Sequence, residues 1–346
     1  MHIHWTSRVA LVALVSASLA SRAEGEQELR VAPNAAAAVR QSTTHLKGLN
    51  TATPQQGTLL RALEKRGQHP GNDQGGGGSS PKGRYPADLE FHGGPTLPSV
   101  VHHAIFVNPT ASCPPNGCWG DPIGFLKDLN KSDFIHVTDQ YVGTHADKRY
   151  PVGTNFFINY PVGPKPLTDL DIEIIAFSAA QVAGFGYGHI YHVFLVPGQD
   201  LCFDSTDTVC YSPDNPSTFV FCAYHSSFDT SSGHVLYSAE PFQDVAGCSV
   251  RPGTPNGQKA DSTNDTLSHE SIEAITDPDG DAYWNSTNLS LFGQEIGDEC
   301  IFLFFQGNNV FSDPTPLRLN GKPYALQPEY SNRGHICASA PVEKDD

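Results

Sequence analysis

A mixed α+β fold is predicted for this chain of 346 residues. Three observations carry that prediction. Short β-rich runs bounded by turn residues recur between Val100 and Ala239, and helical segments with clear start signals stand among them. The two kinds of element do not alternate in the regular way that a doubly wound parallel sheet demands. Eight cysteines, an even count with no zinc-knuckle spacing, add the expectation of a disulfide-stabilised domain.

The elements follow in order. Arg8, the short apolar run Val9 to Leu19 and the small residues Ser18, Ala20, Ser21 and Ala23 read as a secretory signal over 1–23. That run is too short to span a bilayer, and no later segment is long enough. From Thr6 to Arg84 there is no Phe, Trp or Tyr, and Gly75 to Ser80 is a Gly/Ser tract. Such a composition buries too little apolar surface to offset ordering entropy. Residues 24–84 are therefore expected to be a disordered linker or pro-segment, with one short helix near Leu59 to Lys65. Lys65-Arg66 is either a processing site or a pair of solvated charges.

The folded domain is expected over 85–346. Val100 to Val107 reads as a strand. Asp121-Pro122 opens a helix through Asn130, with proline in the first turn where it is tolerated. Thr168 is the N-cap of a helix to about Val182, whose first turn is acidic. Ile190 to Val196, Phe219 to Tyr224 and His234 to Ala239 are strands, and so is Glu299 to Phe305. Proximity along the chain pairs Cys113 with Cys118, Cys202 with Cys210, Cys222 with Cys248, and Cys300 with Cys337. His102, His103, His189 and His192 alternate with apolar residues and read as edge or sheet-face side chains, not ligands.

Formal net charge is −16, which argues against a nucleic-acid partner because phosphate binding needs clustered Lys and Arg. No basic amphipathic helix points to a membrane surface. Four sequons, at Asn130, Asn264, Asn285 and Asn288, are compatible with a secreted glycoprotein. Nothing in the sequence sets an oligomeric state.

The chemistry concentrates in Ser268-His269-Glu270-Ser271-Ile272-Glu273-Ala274-Ile275-Thr276-Asp277-Pro278, followed by Gly293-Gln294-Glu295-Ile296-Gly297-Asp298. On a helix His269 and Glu273 are one turn apart on one face, with Glu270 at its border. A metal held by His269 and Glu273 has Glu270 beside it to take a proton from an activated water. Pro278 ends the helix, and the Ser, Thr and Asp residues between Asp261 and Thr266 offer N-caps. Glu295 and Asp298 arrive where a third ligand and its orienting carboxylate are needed. The same charges on a solvated face are the plainer alternative.

Ser-His-Glu-x-x-Glu-Ala-x-Thr-Asp-Pro, the pair Tyr283-Trp284 and Glu-Ile-Gly-Asp-x-Cys resemble the EXORDIUM, or phosphate-induced protein, family of secreted and cell-wall proteins. Phe91-His92-Gly93-Gly94-Pro95, Phe125-Leu126-x-x-Leu129 and Phe221-Cys222-x-Tyr224-His225-Ser226 are similar to further family segments. The likeness runs from about Leu89 to Cys337. The motif also resembles the active-site helix of thermolysin-like zincins, which implies a zincin-like mixed sheet with an active-site helix. Carried over, His269 is the first ligand, Glu270 the general base, Glu273 the second ligand and Glu295 the third, with Asp298 orienting His269. Asp298 as ligand and Glu295 as orienter is the alternative. Tyr283 is either an oxyanion donor or a core aromatic.

The resemblance implies Zn2+, with Mn2+ or Ca2+ as alternatives, because Glu273 stands where zincins have a second histidine. Two carboxylates and one imidazole neutralise a divalent ion and leave a weaker Lewis acid. The expected activity is a secreted metal-dependent peptidase acting on a peptide or protein substrate. The alternative is a non-catalytic extracellular protein that meets a cell-wall or other extracellular component, with a structural or vestigial metal site.

Overall fold

The computed structural model describes residues 26–41, 43–51, 85–114, 117–162, 166–203, 208–304 and 316–343. Its centre is a seven-stranded sheet. In chain order the strands are β1 (Glu26–Leu29), β2 (Thr43–Thr51), β3 (Val101–Val107), β4 (Asn155–Ile158), β5 (His189–Phe194), β6 (Phe221–Thr230) and β7 (Gly233–Glu240), arranged β1-β4-β3-β5-β7-β6-β2. From β1 to β7 the neighbours are parallel. β6 folds back on β7 as an antiparallel hairpin and pairs antiparallel with β2. The domain is thus mixed α and β with a mostly parallel sheet, and among the described residues no helix is long and apolar enough to cross a membrane.

Two apolar cores lie on opposite faces of this sheet, sorted by the two-residue period of the strands. Tyr191 and Val193 of β5, with Val235, Tyr237 and Ala239 of β7, face the helix α3 (Asp169–Ala183). Ile190 and Phe194, with Leu236, face the other way, towards α2 (Pro122–Leu129) and α4 (Gln258–Thr276). α3 starts as the sequence predicts. Thr168 caps it, and Asp171 accepts from both the Thr168 amide and hydroxyl at 2.8 Å. Asp121 caps α2 by accepting from the Gly124 amide at 2.9 Å.

The four cysteine pairs expected from chain proximity are all present. The four histidines expected on sheet faces are there too, in the central strands β3 and β5. His102 Nδ1 lies 2.7 Å from His192 Nε2 on one face, and His103 Nε2 lies 3.1 Å from His189 Nδ1 on the other.

Three expectations need correction. Part of the anticipated linker belongs to the sheet, because β1 and β2 close its two edges and α1 (Ala35–Val39) packs in the α3 core. An edge strand needs only backbone partners and a few apolar contacts, so an average over the whole segment conceals it. The signal segment, Leu59 to Lys65 and Lys65-Arg66 lie outside the described residues. Of Glu299 to Phe305, expected as a strand, the described residues 299–304 fall in a helix, α5 (Asp298–Phe304). A short apolar run does not distinguish strand from helix by period, and Asp298 and Glu299 sit in the first turn, where the helix dipole favours them. Lastly, α4 starts at Gln258, so Asp261 to Thr266 are interior residues and not N-caps. Asp261 instead accepts from the Asn256 amide at 2.9 Å, and Asp265 from the Gln327 amide at 2.6 Å.

Candidate metal centre

α4 carries the motif and is buried along its whole length from Asp261 to Thr276. A polar helix is not buried for its own sake, because each charge taken from water needs a partner. Its stop is as expected. The helix ends at Thr276, Pro278 follows, and the Asp277 carboxylate accepts from the Ala282 amide at 2.7 Å. Asp277 to Asp281 is thus a helix-closing turn. Within it Asp279 accepts from Ser227 and Tyr187 hydroxyls, each at 2.6 Å.

The sheet face beneath α4 carries a polar row. His225 of β6 stands opposite Ser238 of β7, and Ser238 stands opposite His192 of β5. His192 Nδ1 is 2.8 Å from the Ser238 hydroxyl, which donates to Glu240 at 2.7 Å. Period two aims these side chains at α4 while Tyr237 and Ala239 enter the opposite core.

Helix and sheet bring five groups together. His269 Nε2 lies 3.1 Å from Glu273 Oε1 and 3.7 Å from Asp298 Oδ1. His225 Nδ1 lies 3.3 Å from Glu270 Oε2 and 3.6 Å from Glu273 Oε2. Each set of three offers ligand atoms within 4.8 Å of one another, and the two sets share Glu273. His225, His269, Glu270 and Glu273 are at most 1 % exposed. Among the described residues His269 Nδ1 has no hydrogen-bond partner, Nε2 meets Glu273 only as an ion pair, and Glu270 Oε1 and Glu273 Oε2 have no hydrogen-bond donor. Buried polar atoms are almost always satisfied, so this concentration of orphans makes the cluster a candidate cation site.

The segment after the short strand Tyr283–Trp284 closes the site from the other side. The Asp298 amide donates to Glu273 Oε1 at 3.1 Å. Gly297 presses on His269, where a Cβ would stand 2.5 Å from Nδ1 and 3.0 Å from Glu273 Oε1. Gln327 holds the Gly297 carbonyl at 3.0 Å, and the Cys300–Cys337 bridge ties α5 to the C-terminal strands.

Electrostatics follow from burial. Burial pushes Glu270 and Glu329 well above the usual carboxylate range, Glu240 up to about 8 and Asp265 up to about 7. Burial also opposes charge on His269, but the carboxylates of Glu273, Glu270 and Asp298 outweigh it and hold its pKa well above the ordinary value. For Glu273 burial is likewise overcome, by His269 and His225, and its pKa falls. Carboxylates outnumber imidazoles in this cluster, and a cation bound there would favour their ionised forms.

Of the residues singled out by sequence, His269, Glu270, Glu273 and Asp298 converge. Glu295 stands apart from the His269 set, with Oε2 3.5 Å from His225 Nε2. Of the two candidates for third ligand, Asp298 is the one whose carboxylate lies within reach of both His269 and Glu273. Tyr283 belongs to neither set. Its ring packs on Phe91 and Tyr141, at centroid distances of 4.9 and 5.0 Å, and burial raises its pKa. His225 was not foreseen as a ligand, nor were Glu240, Asp265 and Glu329 as neighbours of the site. The one available signal for His225 was its place on the polar side of a strand whose other side carries Tyr224 and Phe228.

Compared with known proteins, this chain matches no family model, no curated protein and no solved structure.

Proposed function

We propose that this is a secreted metal-dependent peptidase of zincin-like type, with the cation held by His269, Glu273 and Asp298. One observation carries the reading: the Nε2 of a fully buried imidazole, His269, converges with one oxygen each of Glu273 and Asp298, at 3.1 and 3.7 Å, in a site closed to water. A divalent ion there supplies a Lewis acid that acidifies water and polarises a scissile carbonyl. Glu270 takes the proton of the attacking water on Oε1 and delivers it to the leaving amine. Gly297, packed against Nδ1, holds His269 in place. Zn2+ is the first candidate; the oxygen-rich ligand set also suits Mn2+ or Ca2+.

The test is cleavage of a peptide library by the intact chain and by Glu270→Gln. Hydrolysis is expected to fall by about 10²–10⁴-fold in the variant, with the fold and the ion at His269 retained. Full activity in Glu270→Gln overturns the mechanism.

A second reading is favoured by the depth of the site. Structural metal sites are closed, whereas catalytic ones keep an open position, and His269, Glu270 and Glu273 are each 0 % exposed. On this reading the chain is an extracellular protein of EXORDIUM type whose metal pins α4 to the sheet. Metal content without any cleavage in the library selects it. Four disulfides fit the extracellular setting of both readings.

A further inference from the structure

We propose that the centre binds two divalent cations, bridged by the Glu273 carboxylate, with His225 and Glu270 completing the second site. This inference rests on the metal reading above and extends it from one ion to two.

The tautomer of His225 is the first support. Its Nε2 lies 3.2 Å from the backbone carbonyl of Asp277, and a carbonyl only accepts. Nε2 therefore carries the hydrogen, and the neutral ring presents a lone pair at Nδ1. That lone pair points between Glu270 Oε2 and Glu273 Oε2, at 3.3 and 3.6 Å. The Nδ1–Glu270 Oε2 contact is a hydrogen bond with one shared proton, and a cation among the three atoms would take that proton's place. Metal-ligating histidines commonly show this arrangement, with the other ring nitrogen donating to a backbone carbonyl or a carboxylate.

The second support is the division of Glu273. Oε1 is the oxygen near His269 Nε2, and Oε2 is the one near His225 Nδ1. One carboxylate thus offers one oxygen to each imidazole. Oε2 has no hydrogen-bond donor although the residue is fully buried. A single ion at His269 leaves that oxygen unanswered; a second ion at His225 satisfies it. Glu270 then binds through Oε2 and keeps Oε1, which accepts from no donor, for proton transfer.

The intact chain is stripped with a chelator, reloaded with Zn2+ alone or Mn2+ alone, and assayed for bound metal. Two ions per chain are expected. His225→Gln and Glu270→Gln each keep the ion at His269 and lose the other, whereas His269→Gln keeps the ion at His225. Glu273→Gln weakens both, by about 10–100-fold. Circular dichroism and a free-thiol count establish that each variant is folded. The Mn2+-loaded wild type needs no variant, because two bridged ions give an exchange-coupled electron paramagnetic resonance spectrum. One ion per chain with an isolated-ion spectrum, retained in His225→Gln and lost in His269→Gln, overturns the second site and leaves the single-ion peptidase standing. One ion lost in His225→Gln and kept in His269→Gln overturns both assignments. No bound metal does so as well.

Discussion

At the scale of single residues, the centre depends on contacts too close to tolerate an extra carbon. Gly297 is the clearest case, because a Cβ there meets His269 Nδ1 and Glu273 Oε1 at once. Neither neighbour has room to retreat, as both are fully buried. Gly297→Ala is expected to lower metal affinity by about 10–100-fold, the usual cost of disturbing groups that orient ligands. A stability loss of about 1–3 kcal/mol from overpacking should accompany it. A chelator-competition titration measures the first effect and urea unfolding the second. Unchanged affinity would show that Gly297 does not position His269.

At the scale of elements, the site is a helix pressed on a sheet face and locked by one loop. α4 supplies His269, Glu270 and Glu273, β6 supplies His225, and the start of α5 supplies Asp298. The Cys300–Cys337 bridge spans 37 residues and fastens α5 to the C-terminal strands. Removing it as Cys300→Ala/Cys337→Ala is expected to cost about 4 kcal/mol by the loop-entropy relation. It should also weaken metal binding, since Asp298 is two residues from Cys300. Removing Cys113–Cys118, which closes a separation of 5 remote from the motif, should leave metal affinity alone. Equal metal affinity in the two double variants would mean that α5 needs no tether.

At the scale of the whole molecule, the histidine pairs in the sheet make stability depend on pH. Burial is the main cause that lowers His102 to about 3 and His103 to about 4, and it lowers His192 well below its ordinary value. In the unfolded chain these groups titrate near the ordinary histidine value of about 6.5. Between that value and their folded pKa values the unfolded state binds more protons, so stability rises with pH across this window. Acidification from about pH 6 to pH 4 is therefore expected to destabilise the fold, by up to about 1.4 kcal/mol per pH unit for each histidine. Urea midpoints measured across that range check it, and His102→Gln/His192→Gln should flatten the slope. An equally steep slope in the double variant would assign the acid sensitivity to other groups.

Local signals are what the sequence could carry alone. The caps at Thr168 and Asp121, the stop at Pro278, the near-neighbour cysteine pairs and the helical face of His269 and Glu273 all act over a few residues or a short loop. Their physics is complete within the segment. Tertiary structure decided the rest. It placed β1 and β2 at the edges of the sheet, where an average over a polar segment hides a few paired residues. It made Glu299 to Phe304 helical, because an apolar run has no period to choose by. It brought His225 to Glu273 and Asp298 to His269. Side-chain geometry of that kind comes from stacking a helix on a sheet, and no spacing along one chain encodes which side chains then meet.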